Sequence, residues 1–275
     1  VKMCCYGRNR SGKTTLACQF RKPLLLISAE PDACGGATSV ANMEGVQLSR
    51  IAAKNLPGDK VHGSEKVVAI AHELAQSNPF ATVVLDTATS LQDLILVELM
   101  KWDKVPETIT KGMIPKETYM YRAEKWRETV RPLLDLSNCH VVILAQEKDH
   151  NPSTDDFGGK NKILHTMQQG SFIAPALGAT NAQWLQDACG YVVQIYEAEV
   201  TQEMVIPQIG PDGKPMPPIV ERVGTGKRAR HLRLLYHPNF AAGGRWYNKN
   251  MPEFVTAPDS QGLYNAMAQY IPALK

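Results

Sequence analysis

The sequence lacks several things, and each absence removes a class of protein. No apolar run approaches the roughly 18 residues of a membrane-spanning helix, and no charged-then-apolar leader opens the chain, so the expectation is a soluble, cytoplasmic protein with no membrane partner. The six cysteines (Cys4, Cys5, Cys18, Cys34, Cys139 and Cys189) form no C-x-x-C pair and no Cys/His ligand spacing. Cys4 and Cys139 sit beside apolar, strand-like runs, and small buried thiols in a reducing compartment are expected. The net charge of +3 is too small to argue for nucleic acid by itself. No internal repeat and no linker-like boundary appears, and 275 residues suit one α/β unit with insertions. The chain opens on Val1 rather than Met, which fits residues trimmed ahead of it.

What is present is concentrated near the start. Gly7-Arg8-Asn9-Arg10-Ser11-Gly12-Lys13-Thr14, followed by Thr15, satisfies G-x-x-x-x-G-K-[ST], the phosphate-binding loop. A mainly apolar run, Val1 to Tyr6, precedes it, and a plausible helix, Thr14 to Phe20, follows. Glycines at 7 and 12 let successive backbone N–H groups turn toward a β-phosphate, and the helix adds its positive end. Lys13 is expected to reach the β- and γ-phosphates of ATP, and the Thr14 hydroxyl to ligate Mg²⁺.

Apolar strands then alternate with helical patterns, which favours a mainly parallel sheet covered on both faces. "KPLLLISAE" reads as a buried strand ending at Glu30, "FATVVLD" as one ending at Asp86, and "HVVILAQEKD" as one ending near Gln146. Helical spacing marks "HGSEKVVAIAHELAQ", "SLQDLILVELMKW" and "TYMYRAEKWRETVRPLLDL". "DACGYVVQIYEAEV" and "ARHLRLLYHP" look like later strands, with a Pro-Asp-Gly turn signal at 211–213 between them.

Parallel strands present their C-terminal ends to one crevice, so Glu30, Asp86 and Gln146 are expected to face the phosphates together. Asp86 suits the Mg²⁺ partner of Thr14; its alternative use is capping the next helix. Hydrolysis also needs a group to orient or deprotonate water. In many AAA-type ATPases a glutamate directly follows the metal-binding aspartate, but here Thr87 stands there. Glu30 is the candidate for that work, against an ordinary exposed turn residue. Gln146 is the candidate sensor of the γ-phosphate, against a side chain serving only local backbone.

The order of phosphate loop, "SAEPD", "VVLDTATSL" and "VVILAQEKD" with a long polar loop resembles the RecA-like recombinase family. It is similar to the short phage RecA-like ATPases of single-strand annealing and recombination, as are "APALG" at 174–178, "DACGYVVQIY" and "RHLRLLYHPN". The resemblance implies one RecA-like ATPase domain over 1–275 with a C-terminal β extension; insertions are expected near 101–118, 148–172 and 205–225, and the charged stretch around 101–131 and the Pro-rich hairpin around 205–225 depart from the family pattern. It implies that Glu30 activates water and that Gln146 couples nucleotide state to DNA. It also implies a homo-oligomer, ring or filament, on single-stranded DNA, with a single-strand DNA-binding protein as a further partner in a host-cell cytoplasm.

By position, the 148–172 loop would touch DNA through Lys148, Lys160, Lys162 and Phe172, although Asp155 and Asp156 oppose it. A basic cluster at Lys227, Arg228, Arg230 and Arg233, with Arg245 beyond, offers a finger to a neighbouring subunit. Lys227, Arg228 and Arg245 are the candidates for that finger, against a solvated basic face. Two other functions share these motifs: a ring-forming helicase-like or packaging motor, and an ATP-binding switch with slow hydrolysis.

Overall fold

The computed structural model describes residues 1–30, 36–52, 61, 63–102, 113–150, 172–209, 215–235, 242–244 and 251–274. Five strands lie side by side and parallel: β1 (Lys2–Gly7), β5 (His140–His150), β4 (Thr82–Asp86), β2 (Leu24–Ser28) and β3 (Val46–Arg50), in that order across the sheet. On the other side of β1 lies β7 (Tyr191–Ile209), still parallel to it. Beyond β7 the sheet turns antiparallel through β8 (Pro215–Arg233) and β10 (Phe254–Ala257). Two short strands flank this path: β6 (Phe172–Pro175) pairs with β5, and β9 (Gly243–Gly244) with β7. This is the RecA-like P-loop fold with a C-terminal β extension.

Alternation along each strand decides which layer each side chain enters. Cys4, Tyr6, Leu25, Ile27, Val83, Leu85, Val141 and Ile143 face one layer. It is built from α3 (Gly63–Gln76), α4 (Ala88–Met100), α5 (Lys116–Leu134) and α6 (Ala179–Ala188). Met3, Cys5, Leu24, Leu26, Val84, Val142 and Leu144 face the other, formed by α1 (Lys13–Ala17), α2 (Ala37–Val40) and α7 (Ser260–Ala268). Each such aliphatic side chain contributes about 1.5–3 kcal/mol on burial. Trp126 of α5 is fully buried, and its indole N–H donates to Ala88 O at 3.0 Å, tying α5 to the first residue of α4. Cys4 and Cys139 are buried and unbridged, as expected.

Four expectations need correction. First, α1 is only five residues long, ending at Ala17 rather than reaching Phe20. Second, β2 stops at Ser28, so Glu30 lies two residues beyond the strand rather than at its tip. Third, β5 does not end near Gln146. It runs on through Glu147 and Lys148 to His150, because Phe172–Pro175 returns to pair with it antiparallel. Lys148 and Phe172, expected in a loop, are therefore strand residues. Fourth, the hairpin expected near 205–225 begins at Tyr191, with β7 and β8 paired from Gln194↔Arg233 out to Ile209↔Pro215. The turn signal at 211–213 and much of the 101–118 insertion lie outside the described residues.

Candidate functional site

The site forms where the parallel strands end. Leu144, Asp86 and Ser28 share one level and Gly7 pairs with Gln146 two residues further on, so β1, β4 and β2 end within two residues of one another while β5 runs past them. Because β5 lies between β1 and β4, Gln146 stands between the phosphate loop and Asp86. Gly7 must be glycine for packing reasons: a Cβ there would sit 2.2 Å from the backbone oxygen of Ile195 on β7. Gly12 has φ +93°, in the left-handed region that favours glycine.

A cavity of about 600 Å³ opens over the loop. Its lining includes Lys13, Thr14, Glu30, Asp86, Gln146 and Arg230. The Lys13 ammonium donates to Gly7 O at 2.9 Å and Arg8 O at 2.7 Å. Burial pushes its pKa down, and nearby Asp86 and Glu30 are among the groups that push it back up. Thr14 Oγ1 donates to Asp86 Oδ2 at 2.9 Å. Asp86 is only 1% exposed, and its pKa is pushed up to about 6, chiefly by burial and then by the Glu30 charge, against the Thr14 hydrogen bond and Lys13. The helix cap that Asp86 could have supplied comes instead from Thr87, whose Oγ1 accepts the Ser90 N–H at 3.1 Å. Asp86 is thereby left facing Thr14.

Glu30 is half-buried and lines the cavity, and its Oε2 accepts the Gly36 N–H at 3.0 Å. Gln146 is half-buried; its backbone N–H donates to Thr89 Oγ1 at 3.1 Å, which fixes the strand at that level. Asn9, Arg10 and Thr15 also line the cavity. Arg8 points away, 83% exposed, and its Nε donates to Glu147 Oε1 at 2.8 Å. The other oxygen of Glu147 accepts from Gln194 Nε2 at 3.2 Å, so one carboxylate joins the phosphate loop, β5 and β7. Ser11 Oγ is buried with no hydrogen-bond partner among the described residues.

These groups suit a nucleoside triphosphate with Mg²⁺. The loop holds an ammonium and an unsatisfied hydroxyl, and a paired hydroxyl and carboxylate supply the hard oxygen donors that Mg²⁺ takes. Among the described residues no group of three His, Cys, Asp or Glu side chains forms a self-sufficient metal cage. Thr14 and Asp86 could hold an ion whose other ligands are substrate phosphates.

The remaining candidates lie elsewhere. Lys148 is exposed on β5, and Lys227 and Arg228 are exposed on β8, where Arg228 Nε is 3.5 Å from Glu197 Oε1. None of the three lines the cavity. Lys160, Lys162 and Arg245 fall outside the described residues. Sequence reasoning missed two participants. Glu147 carried no motif, and Arg230 was one basic residue in a cluster; only the β7–β8 register puts it over the loop.

The fold and the cavity define a RecA-like P-loop protein. The family model described as an AAA domain matches residues 1–246, and the chain belongs to that family. No functionally curated protein matches the sequence. Among solved structures, the flagellar accessory protein FlaH from Methanocaldococcus jannaschii aligns with a TM-score of 0.41 and 8% identity, over 95% of this chain and 87% of that one. The RadB recombinase aligns with a TM-score of 0.34 and 10% identity, over 84% of this chain and 86% of that one. Likenesses this distant carry no functional argument. Among the described residues no helix is long and apolar enough to cross a membrane.

Proposed function

We propose that the protein is a Mg²⁺-dependent RecA-like ATPase that works on single-stranded DNA, as a homo-oligomer, in recombination or strand annealing of the phage type. The observation that carries the hydrolytic part is Glu30 in the same cavity as Lys13, Thr14, Asp86 and Gln146. A binding site needs the loop, but only hydrolysis needs a carboxylate free to take a proton from water.

In this reading the Lys13 ammonium exchanges two loop carbonyls for the β- and γ-phosphate oxygens. Thr14 and Asp86 would hold Mg²⁺, which offsets charge on the leaving phosphates. Glu30 orients a water and accepts its proton as the oxygen attacks the γ-phosphorus and the bond to ADP breaks. Gln146 senses the γ-phosphate. Its strand continues directly into the β5–β6 ribbon that carries Lys148, which supports coupling to DNA through that ribbon, Lys160, Lys162 and Phe172. Lys227, Arg228 and Arg245 remain the candidates for a finger reaching a neighbouring subunit.

The test is ATP hydrolysis with and without single-stranded DNA in low salt, where phosphate contacts are strongest. Stimulation by DNA supports the reading. Hydrolysis with no DNA binding, with or without ATP, removes the DNA part. ATP binding with negligible turnover, unchanged in Glu30→Gln, points instead to a nucleotide switch.

A further inference from the structure

Arg230 comes from β8, two strands away from the phosphate-loop strand, a distance of about 10 Å across a sheet. Its guanidinium nevertheless rests on the loop. Arg230 Cζ and Nε are each 3.3 Å, and Nη1 3.5 Å, from where a Cβ on Gly12 would be. The missing side chain of Gly12 is what lets the planar group lie against the loop backbone. Register fixes this placement: Arg230 is opposite Glu197 of β7 on one side and Ala257 of β10 on the other. Glu197 pairs with Arg228, its Oε1 3.5 Å from Arg228 Nε.

Three of the other charged groups lining the cavity have partners within the chain. Lys13 is held by two carbonyls, Asp86 by Thr14, and Glu30 by the Gly36 N–H. Arg230 is half-buried and has no side-chain hydrogen bond or ion pair with another described residue. The cavity thus contains three cations, Arg10, Lys13 and Arg230, against two carboxylates, Glu30 and Asp86. Two of the three cations, Arg10 and Lys13, belong to the phosphate loop itself and Arg230 lies against Gly12 of that loop, and a guanidinium fork suits phosphate oxygens.

We infer that Arg230 is a phosphate-binding residue supplied by the same chain, completing the nucleotide site from the C-terminal β extension. The inference rests on the ATP-site reading. It makes the β7–β8 arm part of the nucleotide site and assigns Arg230 a role separate from that of any finger offered by a neighbour.

The experiment measures displacement of a fluorescent ATP analogue by unlabelled ATP, ADP and AMP in the presence of Mg²⁺. Wild type, Arg230→Ala, Arg230→Gln and the remote charge control Lys116→Ala are compared, with melting of each protein without nucleotide to verify folding. If wild type binds none of the nucleotides, the ATP-site reading itself fails. If wild type binds, both Arg230 variants should weaken ATP by about tenfold or more, ADP less and AMP least, while Lys116→Ala matches wild type. Unchanged ATP affinity in a folded Arg230 variant overturns the inference. So does an equal loss for all three nucleotides, which would assign the residue to the base or sugar. Mixing Arg230→Ala with Lys13→Ala separates the same chain from a neighbour: no recovery of tight binding is expected, and recovery overturns the assignment.

Discussion

The two halves of the sheet differ in how they are held. From β1 to β3 the strands are parallel, β1, β4 and β2 are short and covered on both faces, and residues such as Ile27, Val83, Leu85 and Ile143 are fully buried. The β7–β8 arm is antiparallel, with nineteen residues in each strand. It exposes Met204 and Val205 and has register shifts between Glu199 and Thr201 and between Ile206 and Gln208. The rigid half holds the groups whose spacing chemistry cannot relax: Lys13, Thr14, Glu30, Asp86 and Gln146. The arm contributes Arg230 at its inner end and leaves Lys227 and Arg228 exposed further out. In the proposed reading the first half carries out hydrolysis and Arg230 of the arm contacts the phosphates.

The sharpest way to break this contrast is to damage the rigid half away from the site. Trp126→Ala should cost about 3–5 kcal/mol, through the lost indole volume, measured by urea unfolding. A loss below 1 kcal/mol would mean that the helical layer does not hold the sheet as described.

Next in size is the buried carboxylate. Asp86 has a folded-state pKa of about 6 against an ordinary 3.8. The fold therefore favours the protonated form, and stability falls as pH rises from about 4 through 6. The difference between those values corresponds to about 3 kcal/mol. Nucleotide-free Asp86→Asn should therefore gain stability over wild type across that window, reach a constant advantage above it, and lose Mg²⁺-dependent hydrolysis. Parallel pH dependences for the two proteins would show that burial does not burden Asp86.

The smallest effect is expected on the arm. Val205→Ser at a position 59% exposed should change stability by no more than about 0.5 kcal/mol. A loss comparable to that of Trp126→Ala would mean the arm is packed against something, and the contrast between the halves would disappear.

The sequence made the rigid half largely legible because its strands are apolar runs ended by polar residues. "TVVLD" becomes β4 without adjustment, and the phosphate loop is a contiguous motif. Glu30 follows as a candidate from that motif together with Thr87 standing where a glutamate could be, and it lines the cavity. What stayed hidden depends on long-range pairing. The extension of β5 through Glu147, Lys148, Asp149 and His150 is polar, and its partner, Phe172–Pro175, is remote in sequence. Arg230 reaches the loop only through the β7–β8 register, which no local pattern encodes. The helix cap that Asp86 could have supplied is made by Thr87, a choice between adjacent residues that depends on backbone geometry.

The central claim is that Glu30 makes this cavity hydrolytic. Single-turnover cleavage of ATP by Glu30→Gln, measured beside ATP binding by the same protein, tests it most directly. The account predicts binding within a few-fold of wild type and cleavage slowed on the order of 10²–10⁴-fold. Cleavage at the wild-type rate with binding intact would contradict it.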